Sequence, residues 1–210
     1  MNKNIDKLIN ISTAGPSPAV LPATGPQNRF VDMLMPLLNQ RNGLYAFESA
    51  LHVFPLTAKA GQYSLEQWNE PALWRNDYGG LADGLFFFAE DIFGGQFAIR
   101  ESDSNFYIFE PETGALEQLA SDLEGWAGAI LSDYNYLTGY PLAHEWQLKN
   151  GALPVGKRLA PKIPFVGGGK FELSNIYLAD PVELMRFRGM IAQKIKDLPD
   201  GAQIKFKVTD

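Results

Sequence analysis

The stretch that most constrains the fold lies between residues 84 and 120. Residues 85–89, Leu-Phe-Phe-Phe-Ala, form a continuous apolar run of the length expected for a strand covered on both faces. Residues 96–101 then alternate around Phe97 and Ile99, and residues 105–109 present either Phe106 and Ile108 or Tyr107 and Phe109 to a core. Glu-Pro-Glu-Thr-Gly at 110–114 reads as a turn, followed by a short strand over 115–119. Four strands joined by short connections predict an antiparallel meander. Aromatics this dense must face outward on one side unless helices cover one face of the sheet and the C-terminal segment covers the other.

Helix signals surround the meander. Asn28 is placed to cap a helix carrying Phe30, Leu34, Leu37 and Leu38, which ends at Asn42-Gly43 and should kink, or break into two short helices, at Pro36. Ser64 opens a short helical piece through Trp68. The capping box at 121–124 starts a helix bearing Leu123, Trp126, Ile130, Leu131, Tyr134 and Leu137 and ending at Gly139. A short helix follows from Pro141. Strands are expected over 161–166 and 175–179, on either side of a triple glycine. Asp180-Pro181-Val182-Glu183 begins a last helix, with Leu184, Phe187, Ile191, Ile195 and Leu198 along one face, before a final strand over 204–208. The Gly- and Pro-rich residues before Asn28 read as an extended arm spanning 1–27. The expectation is α+β: one domain over 28–210, with a core at 28–137, an extension at 138–210, and helices packed on a mostly antiparallel central sheet of about six strands.

Signs of catalytic or cofactor chemistry are missing. With no cysteine in the chain, disulfides, thiolate zinc sites and cysteine nucleophiles are excluded. His52 and His144, the only two histidines, stand outside any metal-ligand spacing. Val-Gly-Gly-Gly-Lys at 166–170 fails as a phosphate loop, because Pro164 stands where the first glycine belongs and Phe171 where the hydroxyl belongs. Glu90 and Asp91 are paired carboxylates, but neighbours on a strand point to opposite faces. No catalytic residue, metal or cofactor is expected, and the protein reads as a non-enzyme. The first ten residues lack the apolar stretch of a signal peptide, and no apolar run approaches a membrane span. A cytoplasmic location is the expectation.

Charge supplies the candidate surface. The net charge of −6 disfavours direct nucleic-acid binding, which needs clustered cations. Residues 77–133 hold twelve acidic residues against Arg100 alone, a local charge of −11. Residues 134–210 carry +4. An acidic field of that size suits a basic protein partner or a metal ion, or serves only to keep the chain soluble. The candidate contact residues are Asp77, Asp83, Glu90, Asp91, Glu101 and Asp103.

The run Asn42-Gly43-Leu44-Tyr45-Ala46-Phe47-Glu48, then Trp68-Asn69, then Phe88-Ala89-Glu90-Asp91-Ile92-Phe93-Gly94, followed by the helix around Leu123 to Trp126, resembles the SUKH superfamily. That group includes the fungal cell-wall assembly regulator and many bacterial immunity proteins. The resemblance implies helices on a mostly antiparallel sheet, with Gly43, Trp68, Asn69, Phe88, Phe93, Gly94 and Trp126 as structural signature. It also implies binding rather than catalysis. The partner would be a toxin encoded alongside, commonly a nuclease or deaminase of a polymorphic or type VI secretion system, occluded through an acidic surface. The alternative is a regulatory scaffold with no toxin partner.

Overall fold

The computed structural model describes residues 2–14, 28–199 and 202. Seven strands form one sheet in chain order: β1 (Thr13–Ala14), β2 (Leu44–Ala46), β3 (Leu51–Val53), β4 (Leu85–Asp91), β5 (Gln96–Arg100), β6 (Phe106–Glu110) and β7 (Ala115–Ala120). Every neighbouring pair is antiparallel. The meander read from the apolar alternation forms the β4–β7 half. The tight β2–β3 hairpin and the two-residue β1 complete the other edge.

Cross-strand register assigns the side chains to two faces. Phe88, Phe97 and Phe106 point one way, where Trp126 meets Phe88 and Phe97 at ring separations of 5.0 and 5.8 Å. This face is covered by α1 (Lys3–Ile11), α2 (Arg29–Leu38) and α4 (Leu123–Ser132). Phe87 and Phe109 point the other way, against Trp74 and Tyr78. The segment holding α3 (Leu65–Trp68) and the 3-10 turn Arg75–Tyr78 lies on that side, with α7 (Pro181–Ile195) packed behind the turn. Both faces are therefore dry, which is how Leu85, Phe86, Phe87 and Phe88 all sit in the core.

Between α4 and α7 the chain forms α5 (Tyr134–Thr138), α6 (Tyr140–Asn150) and a separate two-stranded sheet of β8 (Arg158–Pro161) and β9 (Ile176–Ala179). A second, smaller core beneath them holds Ile92, Phe93, Ala143, Leu159 and Ile176.

Several expectations need correction. The arm reading fails for Lys3–Ile11, a helix whose Ile5, Leu8 and Ile9 are buried against α4; its i, i+3, i+4 apolar spacing meets a ready-made surface. Residues 15–27 and the strand expected over 204–208 lie outside the described residues. Glu124 does not close the capping box on its own helix. Its carboxylate accepts from the backbone N–H of Asn4 and Ile5, capping α1, while Asp122 caps α4 through Gly125 N. The helix expected to run to Gly139 breaks at Asp133, whose φ and ψ of −141° and 51° leave the helical region, into α4 and α5. Pro36 sits inside a single unbroken α2, which forgoes the one ladder bond that an N–H at this position would donate to Asp32. The strand expected over 161–166 is displaced to Arg158–Pro161, and Phe165–Gly167 is a 3-10 turn. On α7 Leu184 and Ile191 of the expected face are buried, together with Val182, Met185, Arg188, Gly189 and Ala192, while Phe187 is exposed, as is Leu198 beyond the helix end. The buried stripe widens toward Gly189, where a Cβ would stand 2.9 Å from the Asp77 backbone, so only glycine admits this contact.

Candidate functional site

The strongest polar cluster lies at the end of β4. Glu90 is buried there, with its Oε1 2.8 Å from Arg158 Nε and 3.0 Å from His52 Nδ1. Desolvation pushes the Glu90 carboxyl up, but the Arg158 charge and the His52 hydrogen bond outweigh it and hold it below the ordinary value. Burial lowers His52, so the ring is neutral and donates through Nδ1. The ring also stacks on Tyr45 at 4.3 Å. Among the candidate contact residues, Glu90 is thus removed from the surface, because a carboxylate ending so apolar a strand needs a buried cation.

Asp91 is held as firmly. Its Oδ1 accepts from the N–H groups of Phe93 and Gly95 at 2.7 and 2.8 Å, closing the β4–β5 turn. Burial nevertheless pushes its carboxyl up to about 7, against those hydrogen bonds and the Arg188 charge. Across this turn, Arg188 of α7 donates to the Phe93 carbonyl, and its Nε lies 3.5 Å from Glu112 Oε1. Glu112, buried with it, also accepts from Val166 N at 2.8 Å. Two arginines of the C-terminal extension therefore neutralise two acids of the −11 segment inside the fold.

The surviving acids divide between places. Asp77 lies in the 3-10 turn beneath α7, 4.0 Å from Arg186. Asp83, Glu101 and Asp103 come together at the end of the sheet opposite Asp91, where Glu101 N bonds to Gly84 O, and the exposed Asp122 follows β7 at that same end. Two cations share this end. Arg100 pairs with Asp103, whose carboxyl it holds well below the ordinary value, and Arg29 donates to the Glu101 carbonyl. The candidate surface is therefore Asp83, Glu101 and Asp103 together, with Glu90, Asp91 and Asp77 elsewhere.

The signature residues build the frame of this region. Asn69 donates to Phe87 O and accepts from Phe87 N, fastening α3 to the strand where the β4–β5 register shifts. Trp68 Nε1 donates to the buried Gln96 Oε1, whose amide reaches Gly94 O. Gly43 and Gly94 have φ of +76° and +79°, and a Cβ at these positions would meet Pro55 at 2.8 Å and Arg188 at 3.1 Å. Phe93 edges onto Phe165 and Phe171.

Sequence reasoning passed over Arg158 and Arg188. The signal available was an arginine opening the apolar Leu159-Ala160 strand and another four residues after Leu184 on a helix. Among the described residues, no group of three or more His, Asp or Glu converges to hold a metal ion, and no helix is long and apolar enough to cross a membrane.

No protein-family model matches this chain, and no curated protein is similar to it. Among solved structures, the crystal structure of Atu4351 from Agrobacterium tumefaciens is similar, with a TM-score of 0.55 at 10% identity over 90% of this chain and 89% of that one. At that identity the likeness shows a common fold.

Proposed function

We propose that the protein is an immunity protein of the SUKH type, which binds a cognate toxin domain with a basic substrate-binding face and occludes it. The observation that supports this reading most is how the charge is divided. Arg158 and Arg188 of the extension are spent inside the fold on Glu90 and Glu112, and Asp83, Glu101, Asp103 and Asp122 remain at the surface at one end of the sheet. Nucleases and deaminases that act on nucleic acid carry clustered cations where they grip phosphate, and exposed carboxylates draw such a face in and hold it away from its substrate. The protein acts in the compartment where the toxin would strike its own producer, the cytoplasm.

The test uses the catalytically inactivated C-terminal domain encoded by the adjacent gene, titrated with the full chain. Binding that weakens in the Asp83→Lys/Glu101→Lys double variant, with the fold intact, is expected. Undiminished affinity would remove this surface from the account, and absence of binding by the unaltered chain would remove the function.

A further inference from the structure

We propose that two copies of the chain pair through the outer edge of β9, antiparallel about a two-fold axis at Leu178, and join their two-stranded sheets into one of four strands. This goes beyond the functional reading above and does not depend on it.

The first observation is the direction of the backbone groups on β9. Lys162 N donates to Asn175 O at 2.7 Å, and Leu159 N turns away from β9 to donate to Ile92 O at 2.9 Å. Hydrogen-bonded and non-bonded pairs alternate along an antiparallel ladder. The register, with Leu159 opposite Leu178 and Pro161 opposite Ile176, therefore sends the backbone groups of Ile176 and Leu178 outward, away from β8. Asp180 continues the row, since its φ of −75° and ψ of 131° are still extended. Four of these groups, Ile176 O, Leu178 N, Leu178 O and Asp180 N, have no partner among the described residues.

The second observation is that nothing on this edge guards against pairing. Exposed edge strands are ordinarily protected by charge, by proline or by being very short. In the main sheet β1 has two residues, and β7 carries Glu117 near its centre. Residues 175–179, Asn-Ile-Tyr-Leu-Ala, hold no charge and no proline. Tyr177 and Leu178 are 46% and 38% exposed.

The third observation selects the occupant and its register. About Leu178 the open groups are their own complement: Leu178 N meets the second copy's Leu178 O, Asp180 N meets its Ile176 O, and the axis repeats both bonds. An axis at Tyr177 would instead need Ile176 N, which already donates to Leu173 O. The side chains match in the same register. The two Leu178 side chains meet on one face, and on the other the Tyr177 ring lies over the second copy's small Ala179. The Asp180 carboxylate does not oppose this, because it caps α7 and pairs with Lys157 at 3.3 Å. β8 lies against Ile92, at the end of the main sheet opposite Glu101, so the acidic end of each copy stays free.

The test is sedimentation of the full chain over a range of concentrations, with amide exchange followed by NMR. An edge this short should give a dimer with a dissociation constant of roughly 10–100 µM, and protection of the Leu178 amide should rise with concentration. Leu178→Lys sets two ammonium groups against each other across the axis, and Leu178→Pro deletes a donor that β8 does not use. Circular dichroism of both variants should match the unaltered chain. Each is expected to weaken pairing by about tenfold or more, whereas Leu148→Ser, on the exposed side of α6, should leave it unchanged. A chain that stays monomeric at about 1 mM overturns the proposal. So does dimerisation that both variants leave unchanged. A Leu178 amide protected in the monomer, whether by another part of the chain or by the inactivated C-terminal domain of the adjacent gene, overturns the second copy as occupant.

Discussion

Arg158 places its guanidinium Nε 2.8 Å from the Glu90 carboxylate, with the side chains 1% and 3% exposed. This contact ties the two-stranded β8–β9 sheet to the centre of the main sheet, and its energetics are lopsided. Removing one partner strands a buried charge at a cost of about 3–5 kcal/mol, whereas an apolar replacement of both costs far less. Arg158→Met and Glu90→Leu should each destabilise the fold by that amount, and the double variant should recover most of it. Chemical denaturation measures this. Single variants within about 1 kcal/mol of the unaltered chain would contradict a buried pair.

Gly94 should tolerate no side chain. Its φ of +79° disfavours any L-residue, and a Cβ would stand 3.1 Å from the Arg188 guanidinium that bonds to Phe93 O. Gly94→Ala is expected to cost about 1–3 kcal/mol, read as a lowered denaturation midpoint. Gly151→Ala, at an open position with φ of +87°, should cost less. Equal losses would show that the arginine contact adds nothing to the backbone strain.

Asp91 and His52 should bend the stability profile in opposite directions. Burial pushes Asp91 up to about 7 from an ordinary 3.8, so the folded chain keeps a proton that the unfolded chain releases. Stability from this group is full below 3.8 and is lost as the pH rises toward about 7. Asp91→Asn should therefore gain on the unaltered chain across that window and run parallel above it. His52 is lowered from 6.5 by burial, so its contribution is present above 6.5 and lost as the pH falls and the unfolded chain takes up a proton. Midpoints measured from pH 4 to 8 would show both. A constant difference between Asp91→Asn and the unaltered chain would refute the first.

Reversing Asp83 and Glu101 should act on encounter. The double lysine variant is expected to associate more slowly and to lose most of the salt dependence of association, because exposed charges steer and are screened. An unchanged association rate with an unchanged salt dependence would contradict steering by this end of the sheet.

The legible parts of this fold are those whose reasons are local. Alternation around Phe97 and Ile99 gave the strands, and Ser64 and Asp180 stand at helix starts where their oxygens meet free N–H groups, whereas the cap expected at Ser121 falls one residue on, at Asp122. The illegible parts depend on partners far along the chain. Nothing near Glu124 says that it caps α1, and nothing near Glu90 names Arg158 as its cation. The acidic surface was overestimated for the same reason: a charge count treats Glu90 and Glu112 as solvated, and the fold pairs both with arginines from the extension. Phe47, Glu48 and Ser49 carry no turn signature, yet all three take left-handed backbone with φ of 53°, 52° and 70°, where Phe47 and Glu48 meet Tyr134, His144 and Gln147 from far along the chain.

The most direct test of the account is inhibition itself. The active C-terminal domain of the adjacent gene would be assayed against nucleic acid with increasing amounts of the full chain. Activity is expected to fall to background as the chain reaches saturation, and the Asp83→Lys/Glu101→Lys double variant should require markedly more protein to reach the same point. Activity unchanged at saturating concentrations of the unaltered chain would contradict the account.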